Sequence, residues 1–234
     1  MITVGILQTG IVGGQLAADY GEYPDMFKEM FADEPFVYED FSVVNGEFPT
    51  STDQCDAWII TGSKHGAYED HDWIPPLEEF VRQLVAEKRP TIGICFGHQI
   101  MAQALGGKVE KHSNGWGIGV HAYRHPTTGE ETRLLAFHQD QVTECPAGAD
   151  VIMTSDFCRY AGLQYSDACI TLQPHPEHSA AFAHDLLQDR RGRKIAEELV
   201  DDALTTLEQP VDRNRLKDRL AAVLKKGARE TASS

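Results

Sequence analysis

A cysteine bracketed by glycines, in Gly93-Ile94-Cys95-Phe96-Gly97-His98-Gln99, has the setting best suited to nucleophilic chemistry in this chain. It closes an apolar β-type run that starts at Pro90, and it precedes a helical pattern through Ile100, Met101, Ala102, Ala104 and Leu105 that stops at Gly106-Gly107. Strand, sharp turn and helix in that order predict a nucleophile elbow. The side chain is held above a sheet on strained backbone, and Gly93 and Gly97 relieve the crowding around it. At a helix N-terminus the positive end of the peptide dipoles favours the thiolate, which is the nucleophilic form of a thiol. The same residues also fit a buried cysteine on an ordinary strand-to-helix turn, because free Cys packs as a small hydrophobe.

A thiol nucleophile needs an imidazole to hold or take its proton and a carboxylate to orient the ring. Pro174-His175-Pro176-Glu177-His178 supplies both at the end of the apolar run Cys169 to Gln173. The proline between His175 and Glu177 fixes its φ, so one strand-end turn presents both side chains. Parallel strands bring their C-terminal ends together, so the distance in sequence from Cys95 is no obstacle. Two other readings stay open: a metal site of His175, Glu177 and His178, and a stiff loop without chemistry. No second cluster with metal-ligand spacing accompanies the first. Two further polar stretches end apolar runs. In Thr61-Gly62-Ser63-Lys64, Gly62 and Ser63 either offer backbone amides to an anion or form a plain turn into the next helix; His138-Gln139-Asp140 either faces a pocket or is a solvated turn.

The elements that would carry these residues follow from periodicity. Thr3 to Leu7, Ala57 to Ile60, Thr91 to Ile94 and Cys169 to Gln173 predict buried strands, and Phe36 to Tyr38 and Phe41 to Val43 short ones. Gln15 to Phe31 is helical with a break at Gly21 and Pro24, and Pro75-Pro76 opens a helix over Leu77 to Glu87. Lys108 to Lys111, Gly115 to Val120 and Ala136 to Val142 predict an antiparallel hairpin layer, and Val151 to Met153 and Leu163 to Tyr165 further strands. Gly10-Ile11-Val12-Gly13-Gly14 lacks the dinucleotide spacing and reads as an ordinary glycine-rich loop.

Composition bounds the partners. The 234 residues include 36 acidic and 21 basic ones, a net charge of −15 that argues against nucleic acid and anionic membranes. Five cysteines without C-x-x-C spacing suit a reducing compartment, and neither a signal sequence nor a membrane-spanning run is evident, so a cytoplasmic protein is expected. A catalytic domain over 1–184, with 26 acidic and 10 basic side chains, carries a net charge of −16. Residues 185–234, with 10 acidic and 11 basic side chains, predict a helical pair packed on the same domain, from Ile195, Leu199, Ala203 and Leu207 and from Leu216, Leu220 and Leu224. Residues 226–234 are expected to fray.

Taken together, Thr61-Gly62-Ser63, Gly93-Ile94-Cys95-Phe96-Gly97-His98-Gln99, Gly115-Trp116-Gly117, Phe137-His138-Gln139-Asp140 and Gln173-Pro174-His175-Pro176-Glu177 resemble the class I (triad-type) glutamine amidotransferase domain. The chain also resembles the stand-alone branch of that family, which includes γ-glutamyl peptide hydrolases. The resemblance implies an α/β fold, an open and mainly parallel flavodoxin-like sheet flanked by helices, with a small antiparallel layer. It implies hydrolysis of a γ-glutamyl amide, glutamine in the simplest case, through a thioester on Cys95, with His175 and Glu177 completing the triad and no cofactor or metal. Gly62 and Phe96 would supply oxyanion-hole amides, and Gln99 and the backbone around His138 would hold the substrate's α-amino and α-carboxylate ends. Family members usually pass ammonia to a synthetase domain or partner chain, and here such a synthetase would be a separate chain. A γ-glutamyl peptide or conjugate hydrolase is the alternative activity, and a non-catalytic regulatory subunit the alternative of another class.

Overall fold

The computed structural model describes residues 1–227. Seven strands form the main sheet: β1 (Ile2–Leu7), β2 (Phe36–Phe41), β3 (Ala57–Ile60), β4 (Thr91–Ile94), β9 (Asp150–Met153), β10 (Gly162–Ser166) and β11 (Cys169–Leu172). Their order is β2-β1-β3-β4-β11-β10-β9, parallel from β2 to β11 and antiparallel over the last two. Strands in the middle of such a sheet are covered on both faces and are therefore apolar throughout. All four side chains of Ala-Trp-Ile-Ile in β3 are fully buried.

Alternation sends Ala57 and Ile59 to one face and Trp58 and Ile60 to the other. Against the first face lie Phe27 and Met30 of α2 (Tyr23–Met30) and Leu216, Leu220, Ala221 and Leu224 of α7 (Arg213–Lys225). Against the second lie Leu77, Phe80, Val81 and Leu84 of α3 (Ile74–Ala86) and Phe96, Ile100 and Met101 of α4 (Phe96–Ala104). Gly5 is the counterpart of Trp58: a Cβ there would lie 2.3 Å from the indole, so β1 makes room for the largest buried side chain.

The other strands form two separate antiparallel ribbons: β5 (Lys108–Lys111) with β8 (Asp140–Glu144), and β6 (Gly117–Arg124) with β7 (Glu131–His138). The expected single layer is thus split, and Phe137-His138-Gln139-Asp140 bridges its halves. Phe36 to Phe41 is one strand, followed by a 3₁₀ turn at Val43–Asn45 instead of a second strand. Pro24 starts α2 instead of breaking it, since a proline in the first turn removes no helical hydrogen bond. α1 (Gly14–Tyr20) is short. The loop before it turns its amides inward, where the Glu22 carboxylate accepts from the N–H groups of Val12 at 2.8 Å and Gly13 at 3.1 Å.

The boundary expected after residue 184 falls inside α5 (Ala180–Arg190). Beyond it, α6 (Glu197–Thr206) lies close against β6. Gly119 there has φ 86°, and a Cβ would stand 2.5 Å from Thr206 Oγ1, which accepts from Val120 N–H at 2.8 Å. Each leucine that α7 buries against the sheet contributes about 1.5–3 kcal/mol. The fraying expected over 226–234 lies mostly outside the described residues. No helix among the described residues is long and apolar enough to cross a membrane.

Candidate active site

Register brings the chemistry together. β4 and β11 are parallel neighbours with Ile94 beside Leu172, so the residues that follow each strand leave the sheet side by side. The Cys95 N–H extends the ladder by one bond, to Leu172 O at 2.8 Å. Cys95 then takes φ 53° and ψ −101°, a conformation that L-residues rarely adopt and that costs about 1–3 kcal/mol. Gly97 is what lets α4 start so close to the sheet, since a Cβ there would lie 2.3 Å from Ile60 O; one on Gly93 would lie 2.7 Å from Gly97 O. Gly97→Ala should therefore push α4 away from β3, lowering stability by about 1–3 kcal/mol or more and displacing the sulfur. Thermal melting and activity should fall together, and an unchanged melting midpoint would refute the crowding argument.

His175 is anchored by its own N–H to Leu135 O of β7 at 2.8 Å. Its Nδ1 lies 2.7 Å from Glu177 Oε1, and the ring lines the same cavity as Cys95, both lying against Gly62. Burial would push this imidazolium toward neutrality, but the Glu177 carboxylate and then Cys95 outweigh it and raise the His175 pKa above the usual imidazole range. His178 stacks on His175 with centroids 4.0 Å apart and planes at 8°. Burial, reinforced by His175 and Arg213, keeps His178 neutral, so the stack holds one charge.

The other expected site residues surround Cys95 and His175. A Cβ on Gly62 would touch His175 at 3.2 Å and Cys95 at 3.8 Å, so the Thr61-Gly62-Ser63 loop abuts both. In the first turn of α4 the Gly97 N–H donates to Thr61 O and that of Gln99 to Cys95 O. The N–H groups of Gly62 and Phe96 meet no acceptor among the described residues. Gln99 Nε2 donates to Asp140 O at 2.9 Å and to Gln173 Oε1 at 3.1 Å, which leaves its Oε1 as the atom free for a ligand. His138 Nδ1 sits 3.3 Å from Asp140 O; burial, with His175 nearby, pushes its pKa down to about 3, so it is a neutral group beside a charged one. Cys95, Gln99, His138 and His175 all line a cavity of about 430 Å³, within the size range of small-molecule sites.

Two contributors lay outside the sequence reading. Gln173 is fully buried and donates Nε2 to Cys95 Sγ at 3.5 Å. It stood inside the motif without a role, since only tertiary geometry turns its amide to the sulfur. Arg213, at the start of α7, donates Nε to Pro176 O at 2.9 Å and Nη2 to Glu177 O at 3.2 Å, clamping the turn that carries His175 and Glu177. No motif pointed to it. Arg213→Ala should lower kcat roughly 10–100-fold with a much smaller change in KM, and Arg213→Lys should restore part of it. A kcat equal to wild type would show that the turn holds itself.

Among the described residues, two groups have metal-ligand atoms within 4.8 Å of one another, His175-Glu177-His178 and His65-Glu69-His71. The second escaped the spacing argument. Its members bond to each other, Glu69 Oε2 lying 3.3 Å from His65 Nδ1 and 2.8 Å from His71 Nε2, while His71 stacks on Trp73.

Comparison with known proteins shows the family and the fold. Residues 40–190 match the family model described as glutamine amidotransferase class-I. The chain is 30% identical to gamma-glutamyl peptidase 3 of Arabidopsis thaliana over 81% of its length and 82% of the relative's, and 31% identical to gamma-glutamyl peptidase 4 of the same plant over the same shares. The crystal structure of a glutamine amido transferase from Methylobacillus flagellatus superposes with a TM-score of 0.71 at 22% identity, over 97% of this chain and 94% of that one.

Proposed function

The chain belongs to the class-I glutamine amidotransferase family, and on that premise we propose that it hydrolyses γ-glutamyl amide bonds through a thioester on Cys95. What supports the reading is the placement of Cys95, on a strained turn, in one cavity with His175, whose Nδ1 lies 2.7 Å from Glu177 Oε1. In this mechanism the Cys95 thiolate attacks the γ-carbonyl carbon. The oxyanion forms between the N–H groups of Gly62 and Phe96, where each donor is worth about 2.7–4 kcal/mol of barrier. Collapse breaks the C–N bond, and the departing amine takes the proton from His175 Nε2. Water then attacks the thioester, gives a proton back to His175, and releases the free γ-carboxylate and the thiolate. Glu177 holds Nδ1 and steadies the imidazolium throughout; Gln173 supports the charge on sulfur.

The leaving group is ammonia if glutamine is the substrate, with a separate synthetase chain as its receiver, or an amino acid if the substrate is a γ-glutamyl peptide. The experiment is a substrate panel that follows ammonia from glutamine and amino acid from γ-glutamyl dipeptides, with wild-type and Cys95→Ala protein. Turnover of either class that depends on Cys95 supports the reading. Absence of both, with biological activity retained in Cys95→Ala, would favour a regulatory subunit without catalysis.

A further inference from the structure

The cavity over Cys95 has two ends of different character. At one, Gln99 and His138 approach the carbonyl oxygen of Asp140, and Tyr68 lies across Gly66 from its carboxylate. This end is polar and carries the groups expected to hold a glutamyl head. At the other, Trp116, Phe137 and Leu186 form an apolar wall. The rings of Trp116 and Phe137 lie 5.6 Å apart, and Phe137 packs toward Leu186 and Phe182 of α5. Arg190 and Lys194 follow Leu186 in the chain and line the same cavity. Arg190 is committed to Asp189 at 2.6 Å, whereas the Lys194 ammonium makes no ion pair or hydrogen bond among the described residues. An uncommitted cation beside an apolar surface, in a chain of net charge −15, suits a ligand with an apolar body and a terminal anion. Departing ammonia would use neither.

We infer that this second end is a leaving-group subsite, which takes an amino acid or short peptide with an apolar side chain against Trp116 and Phe137 and a free carboxylate at Lys194. The inference rests on γ-glutamyl hydrolysis at Cys95 and specifies its substrate class. A dipeptide spans the sulfur: its γ-glutamyl unit points to Gln99 and its second residue to Lys194, with the scissile bond over Cys95.

The test compares kcat/KM for γ-glutamyl-phenylalanine, its C-terminal amide, γ-glutamyl-glycine and glutamine. Wild type should prefer the free acid to the amide and phenylalanine to glycine. Lys194→Ala should lower kcat/KM for the free acid about fivefold, chiefly through KM, and abolish the preference over the amide; Lys194→Arg should restore it. Trp116→Ala should cut the phenylalanine-over-glycine preference roughly tenfold. Equal rates for acid and amide in wild type, or an acid preference that survives in Lys194→Ala, would overturn the subsite. Failure of every γ-glutamyl compound to react would instead sink the underlying reaction. Calorimetric binding of γ-glutamyl-phenylalanine and its amide to Cys95→Ala protein, with and without Lys194→Ala, then decides the subsite by itself: a Lys194-dependent acid preference supports it, and no such preference overturns it.

Discussion

Cys95→Ala should reduce turnover of γ-glutamyl substrates on the order of 10⁵-fold or more, because in the proposed mechanism it removes the protein atom that bonds the substrate, and units that act together lose nearly everything when one member goes. Selective labelling supplies the companion result. A γ-glutamyl electrophile should modify Cys95 and spare the other four thiols. Burial pushes Cys55, Cys158 and Cys169 up to about 12 and raises Cys145 as well, so they stay protonated at neutral pH, and none lines the cavity. Peptide mapping by mass spectrometry reads the outcome; label spread evenly over the five cysteines would count against Cys95 as the nucleophile. Folding should survive the alanine change, since the side chain removed is small and the Cys95 N–H keeps its bond to Leu172 O.

Glu177→Gln should cost on the order of 10²–10⁴-fold in kcat and move the pH profile. Burial acts to lower the His175 pKa, but the Glu177 carboxylate is the strongest influence raising it, ahead of Cys95. An amide of the same shape removes that charge. The alkaline limb of activity, set by loss of the imidazolium proton, should therefore lie above the usual imidazole range in wild type and shift toward acid in the variant. The sign for stability is the same. A raised folded-state pKa adds stability that is fully present below the ordinary imidazole value and is lost as pH climbs through the raised one. Wild type should thus lose stability on the alkaline side, and Glu177→Gln should lose this dependence. Profiles of kcat/KM and melting midpoint against pH check both, and coincident alkaline limbs for the two proteins would refute the assignment of Glu177.

The parallel core was legible in the sequence because its strands are short, continuously apolar and followed by small residues. The helix pattern after Cys95 was legible because Gly106-Gly107 ends it. What was not legible depended on tertiary contact. Phe36 to Phe41 alternates only weakly, and pairing with β1 makes it one strand. The ribbons β5/β8 and β6/β7 share the His138 to Asp140 crossing, and no local signal says which strand pairs with which. In the site, Cys95, His175 and Glu177 carried motif signals, whereas Gln173 reads in sequence as an ordinary strand-end amide. Arg213 reads as a surface cation of an amphipathic helix; only the packing of α7 against the sheet shows that its guanidinium reaches the carbonyls of Pro176 and Glu177.

That contact also sets an order in time. Synthesis runs from the N-terminus, so Cys95 and His175 are both made before Arg213. The guanidinium that donates to the Pro176 and Glu177 carbonyls is therefore made after the turn that it holds. The turn that carries His175 and Glu177 thus gains these two bonds only once α7 has docked on the sheet.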